Sequence, residues 1–277
     1  LEVSISEGTS PLSTFGTLPP RLLAEIKQHA QELPFTVERI GMGSDTAAPT
    51  MRATTVLWDI DGTLVHSGGV AAEAFLDAVA EVTGVRPAPE RRDYGGRLDT
   101  EIADMLLAAV GADRTHVADV LETLRRLVAE RLGELRAQTS TYPGVDTLLA
   151  KLAGAGVRQT VVTGNLAAIA LHKLEAGGLI PPIEPEFGGY GDSAPDRAAV
   201  AQVALDRLSA AGWHPDHDEV WVVGDTVRDL ACAQAIGVRC ALVATGRSTV
   251  GQLTGLGADI VLPDLSDPRP LLNLWQT

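Results

Sequence analysis

Apolar positions from residue 54 onward fall into two kinds of run. Short runs rich in β-branched residues end in polar or glycine-rich turns: TTVLWDI (54–60), VRQTVVTG (157–164), EVWVVGD (219–225), VRCALVATG (238–246) and ADIVLPDL (258–265). These read as strands. Between them, apolar residues recur at helical spacing in GVDTLLAKLAGAG (144–156), NLAAIALHKLEAGGL (165–179), DRAAVAQVALDRLSAAG (196–212) and TVRDLACAQAIG (226–237). TVGQLTGLG (249–257) reads as a short helix, and FGGYG (187–191) as a short strand or loop. Strands that alternate with helices predict a mostly parallel sheet covered by helices, a Rossmann-like α/β fold.

The alternation is interrupted after the first strand. GVAAEAFLDAVAEVTG (69–84), DTEIADMLLAAVG (99–111) and THVADVLETLRRLVAERLGELRAQ (115–138) all carry helical periodicity. Asp99 or Thr100 is a candidate cap for the second. Three successive helices exceed one crossover, so residues 66–141 are expected to form an inserted all-helical cap, with 54–65 and 142–277 as the core. Residues 1–53 differ: turn formers in SEGTSPLSTFGTLPP, one helix in PPRLLAEIKQHAQEL and a linker-like GMGSDTAAPT. Met51 is a candidate start, and a leader helix packed on the domain is the alternative.

Composition narrows the class. The chain has 277 residues, and aromatics make up 4%, so the core is expected to be aliphatic. The net charge of −14, with no basic stripe, argues against nucleic acid and anionic membranes as partners. The expected partner is a small metabolite, with a monomer or homodimer as the assembly. Cys232 and Cys240 stand outside any CxxC spacing, and His66, His116, His172, His214 and His217 have no ligand spacing with them. Two buried thiols in a reduced, cytoplasmic setting are expected. No stretch reads as a signal peptide, and no apolar run is long enough to span a membrane.

Active sites of parallel sheets lie beyond the C-terminal strand ends. The first strand ends in Asp59, followed by Asp61, Gly62 and Thr63. Another ends in Thr163, Gly164 and Asn165. A third ends in Gly224 and Asp225, with Asp229 one helical turn on. Taken singly, each has a plainer reading: Asp-Gly and Thr-Gly favour turns, and GDTVRD could be a helix cap with a solvated face. Brought together by the sheet, these carboxylates would repel one another unless a hard divalent cation joined them. Asp59 and Asp225 are the best ligand candidates, with Asp229 direct or one step removed. A carboxylate oxygen left free of the metal can attack phosphorus, while Asp61 carries protons.

DIDGTL (59–64), VVTG (161–164) and VVGDTVRD (222–229), in this order, resemble the first, second and fourth motifs of the haloacid dehalogenase-like hydrolase superfamily, in its phosphoglycolate phosphatase-like branch. The resemblance spans residues 54–263. It implies Asp59 as the nucleophile forming an aspartyl-phosphate, Asp61 as general acid and base, and Thr163 as a phosphate binder. It implies Mg²⁺ held by Asp59, Asp225 and Asp229, with backbone carbonyls around Asp61. Gly62, Thr63, Gly164 and Asn165 would line the phosphate. The family's third motif commonly has Lys-Pro, and GDSAPDRAAV (191–200) lacks it. Arg197 is the preferred substitute, with Lys173 as a rival by charge. The helical insertion falls where the family places its cap, and in YGGRLDTEI (94–102) Gly95 and Gly96 permit close backbone approach. There Arg97 would bind an anion, or else be solvated. The implied activity is Mg²⁺-dependent hydrolysis of a small phosphate monoester. A sugar phosphomutase of the β-phosphoglucomutase type, or a catalytically silent binding protein, are the alternatives.

Overall fold

The computed structural model describes residues 54–88 and 94–276. The expected leader helix and linker in residues 1–53 lie outside the described residues.

Five short strands, β1 (Thr55–Trp58), β4 (Arg158–Val161), β5 (Val220–Gly224), β6 (Arg239–Val243) and β7 (Ile260–Leu262), form one sheet in the order β4-β1-β5-β6-β7. Every pairing within it is parallel. Side chains of a strand alternate between the two faces. Val56, Trp58, Trp221 and Val223 accordingly point into one apolar cluster, with α5 (Val145–Gly154), part of α6 (Ala167–Ala176) and α10 (Arg269–Gln276). Leu57, Val222, Cys240 and Leu242 point into a second, with α7 (Arg197–Ala210) and α8 (Val227–Ile236). Both faces are covered, which is why the strands read as nearly continuous apolar runs. Cys232 and Cys240 are buried free thiols in the second cluster.

The insertion is helical: α1 (Val70–Thr83), α2 (Asp99–Ala109), α3 (Val117–Glu130) and α4 (Leu132–Gln138) enclose a third cluster, which Leu166 and Ile169 of the core join. The chain leaves and re-enters the core through a pair of two-residue strands, β2 (Val65–His66) and β3 (Ser140–Thr141), which pair antiparallel. The cap therefore stands on two adjacent strands rather than on one flexible segment. Among the described residues, no helix is long and apolar enough to cross a membrane.

Several local expectations change. The third helical run is two helices, broken at Arg131, whose backbone leaves the helical region (φ −101°, ψ 18°). Arg131 Nη2 donates to Asp77 Oδ2 at 2.5 Å, and Gly133, a weak helix former, stands two residues on. FGGYG is a loop with one isolated bridge, Val162 to Gly189. The α2 cap falls on Leu98, and Asp99 is the first helical residue, its carboxylate turned away to a different element. The last described helix, α10, carries Trp275, which buries its ring edge-on against Trp221 at 5.7 Å.

Candidate active site

Register brings the predicted groups together. Trp58 sits opposite Val161 on one side and Val223 on the other. The residues that follow these three, Asp59, Thr163 and Asp225 among them, must emerge at one edge of the sheet. A cavity of about 740 Å³ opens there, beneath the cap.

Asp59 is buried, and its Oδ1 accepts from Arg197 Nη2 at 2.8 Å. Arg197 reaches this point because it opens α7, whose first turn is capped by Asp196 Oδ1 accepting from Ala199 N. The same guanidinium donates to Asp229 Oδ1 and, more weakly, to the carbonyls of Val162 (3.3 Å) and Gly96 (3.4 Å). Asp229 is fully buried. Its Oδ2 accepts from Thr226 N (3.0 Å) and Thr226 Oγ1 (2.8 Å), closing a capping box on α8. GDTVRD is thus a helix cap after all, but one whose acidic member faces the site instead of solvent.

One carboxylate oxygen each from Asp59, Asp225 and Asp229 lies within 4.8 Å of the others. With all three ionised, Arg197 balances one charge and leaves a formal −2, and Asp225 Oδ1 is buried with no hydrogen-bond partner. An unpartnered buried oxygen is costly, and oxygen ligands around a net dianion suit a divalent cation. The residues present therefore fit a metal. The close backbone of Gly62 and Gly246 shapes the cradle: a Cβ on Gly62 would come within 2.6 Å of Asp225 Oδ2, and one on Gly246 would overlap it.

The electrostatics follow from the crowding. Burial first, then repulsion from Asp229 and Asp61 against the pull of Arg197, raises the Asp59 carboxyl to about 7. Burial and the charges of Asp59 and Asp229 raise Asp225 to about 8. Burial alone would lower the Arg197 pKa, but Asp229 and Asp59 outweigh it together and hold the guanidinium firmly protonated.

Asp61 is placed differently. Its side chain is 44% exposed, and Oδ2 accepts from Lys173 Nζ at 2.5 Å. Lys173 is buried on α6 and also donates to Asn165 Oδ1 at 2.9 Å. The two basic residues weighed as rivals are therefore both present, Arg197 on Asp59 and Lys173 on Asp61. Gly62, Thr163, Gly164, Asn165 and Arg97 line the cavity. Thr63 does not: it is fully buried, its hydroxyl turned into the interior behind the Gly62 turn (φ 84°) and without a hydrogen-bond partner.

Two contributors stand outside the expected site residues. Asp99, read as a helix cap, is buried at the junction of cap and core. Its Oδ2 accepts from Leu166 N at 2.8 Å, and its own N–H donates to Gly164 O at 2.8 Å. Burial raises its carboxyl to about 6, against the pull of Lys173 and the Leu166 N–H. Thr245, at the end of β6, donates from Oγ1 to Gly62 O at 2.5 Å. The strand-end rule applied to VRCALVATG could have found Thr245 and Gly246; nothing local pointed to Asp99.

Cap and core meet closely around this edge. Arg228 Nη1 donates to Gly95 O at 2.6 Å, and a Cβ on Gly164 would overlap the Arg97 carbonyl. The loop 94–98 is thus pressed onto the strand-end turns.

A family model described as haloacid dehalogenase-like hydrolase matches residues 56–234. The phosphoglycolate phosphatase of Rhodospirillum rubrum is 33% identical over 218 residues, covering 76% of this chain and 87% of that protein. The phosphoglycolate phosphatase of Chromobacterium violaceum is 31% identical over 222 residues, covering 79% and 96%. Among solved structures, CbbY from Rhodobacter sphaeroides in complex with phosphate superposes with a TM-score of 0.62 at 20% identity, covering 78% and 96%, a likeness of fold.

Proposed function

The chain belongs to the haloacid dehalogenase-like hydrolase family, and from that premise we propose that it is a Mg²⁺-dependent phosphatase. Its substrate is a small phosphate monoester, cleaved through an aspartyl-phosphate on Asp59. The observation that carries this reading is the contrast between two aspartates one residue apart. Asp59 is buried among charges, while Asp61 is half-exposed beside Lys173. Two carboxylates in unlike surroundings can divide nucleophilic and proton-carrying work.

On this reading Asp59, Asp225 and Asp229 would hold Mg²⁺, with the backbone carbonyl of Asp61 as a further oxygen ligand. When bound, the ion offsets the cluster's charge and polarises the phosphoryl group. Arg197 holds Asp59 in place through Oδ1. The other Asp59 oxygen attacks phosphorus, the bond from phosphorus to the ester oxygen breaks, and Asp61 delivers its proton to the departing alkoxide. Asp61 then takes a proton from water. The water oxygen attacks phosphorus, the bond from phosphorus to Asp59 breaks, and inorganic phosphate leaves. Gly62, Thr163, Gly164 and Asn165 orient the phosphoryl oxygens, and Lys173 steadies Asp61.

Phosphate release from a panel of monoesters, 2-phosphoglycolate first because relatives bear that name, tests the reading. Release is expected with Mg²⁺, and neither with chelator nor from Asp59→Asn, whose circular dichroism stays that of the wild type. Wild-type release by Asp59→Asn would refute the mechanism. Conversion of a sugar 1-phosphate to its 6-phosphate without release would favour a mutase, and binding without either reaction a silent relative.

A further inference from the structure

The cavity is polar at one end and apolar at the other. Its floor is the carboxylate cluster with Arg197 and Lys173. Its ceiling is built by α1 and α2, which present Ala71, Ala72, Phe75, Leu76, Ile102 and Leu106. Apart from Asp99 at the foot of α2, whose carboxylate is taken by Leu166 N, these two helices place no charged side chain on the cavity among the described residues. The other polar cap residues that reach it are Tyr94 and Arg97, from the loop pressed against the strand ends, and His66 and Ser67, at the first crossing from core to cap.

Size agrees with this division. A volume of about 740 Å³ lies within the range of about 300–1,000 Å³ that takes drug-sized ligands, far more than a two-carbon ester fills. Against the alkyl and aryl side chains of α1 and α2, a sugar or a second carboxylate would lose water without gaining hydrogen bonds, whereas the cationic lining residues Arg97, Arg228 and Arg247 stand on loops and on α8, away from that ceiling. A hydrocarbon group would gain from the same burial.

We propose that the preferred substrate is a phosphate monoester whose organic part carries an apolar alkyl or aromatic group seated under the α1–α2 ceiling. Its phosphate end rests on the phosphatase reading above; its apolar end rests on the cavity wall. The ceiling discriminates between esters by chain length and leaves the attacking and protonating groups alike for all of them.

A homologous series of n-alkyl phosphates, ethyl to hexyl, keeps the leaving group constant and isolates this effect. Binding to Asp59→Asn with Mg²⁺ is measured by calorimetry, and kcat/KM is measured on the wild type. Both are expected to improve with length, by about two- to fourfold per methylene, with a heat-capacity change that grows more negative along the series. Hexyl phosphate is expected to exceed 2-phosphoglycolate. Ala72 is exposed on α1, so Ala72→Asp is tolerated by the fold, and it should flatten the dependence on length. No dependence on length, or tighter binding of 2-phosphoglycolate than of hexyl phosphate, would overturn the inference and leave the phosphatase reading standing. Length-dependent binding without turnover of any ester would do the reverse.

Discussion

Removing the guanidinium at position 197 is the most informative perturbation of the acidic cluster. Arg197→Met keeps much of the side-chain volume and deletes the charge that bridges Asp59 (2.8 Å) and Asp229. At an effective dielectric constant of about 20, one charge pair at this distance is worth about 6 kcal/mol before desolvation is subtracted. Breaking a buried pair by deleting one partner typically costs about 3–5 kcal/mol. For a chain of this size that lowers Tm by about 6–20 °C. The loss should be larger at pH 8 than at pH 6. With the cation gone, the pKa values of Asp59 and Asp225, already about 7 and 8, rise further, and protonation at low pH relieves the repulsion. Mg²⁺ should recover more Tm in the variant than in the wild type, since it supplies the missing positive charge. Turnover should fall on the order of 10²–10³-fold, and Arg197→Lys should restore stability better than activity. Thermal unfolding with and without Mg²⁺ at the two pH values checks each point. A metal-free Tm within about 2 °C of the wild type, or a loss unaffected by pH and Mg²⁺, would refute the charge-balance reasoning.

Gly164→Ala places a methyl group against the Arg97 carbonyl. It should cost about 1–3 kcal/mol and raise KM by displacing the loop 94–98; unchanged stability in urea unfolding would mean that the loop yields freely. Asp99 contributes a pH dependence of stability. Its carboxyl stands at about 6 in the fold against an ordinary 3.8, so the folded protein binds the extra proton. That contribution is full below pH 3.8 and lost as pH rises through about 6, up to about 3 kcal/mol. Asp99→Asn, which can still accept from Leu166 N, should show a correspondingly smaller loss between pH 4 and 7 in urea titrations. Identical slopes for variant and wild type would exclude Asp99 as the source.

The alternation of apolar strands with amphipathic helices was readable because it is local chemistry. A parallel strand buried on both faces must be apolar nearly throughout, and its C-terminal end must release polar residues into a turn. That rule alone located Asp59, Thr163 and Asp225, and the break in the alternation located the cap. Who contacts whom was another matter. Arg197 meets Asp59 across 138 residues, Lys173 meets Asp61 across 112, and Leu166 meets Asp99 across 67. Arg197 and Lys173 read as alternatives because both are cations on helices that follow strand ends, and only their tertiary contacts assign each its own aspartate. Asp99 at the start of a helix reads as a cap, since the local backbone offers it N–H groups; tertiary packing offered it another helix's N–H instead. Thr63 is the opposite case: it follows the Gly62 turn at a strand end, yet its side chain is fully buried and away from the cavity. The sequence by itself determined the fold class and the chemistry of the strand ends, through periodicity and strand-end position. The pairing of charges and the apolar ceiling of the cavity were decided by register and helix placement, which sum interactions over distances no local pattern records.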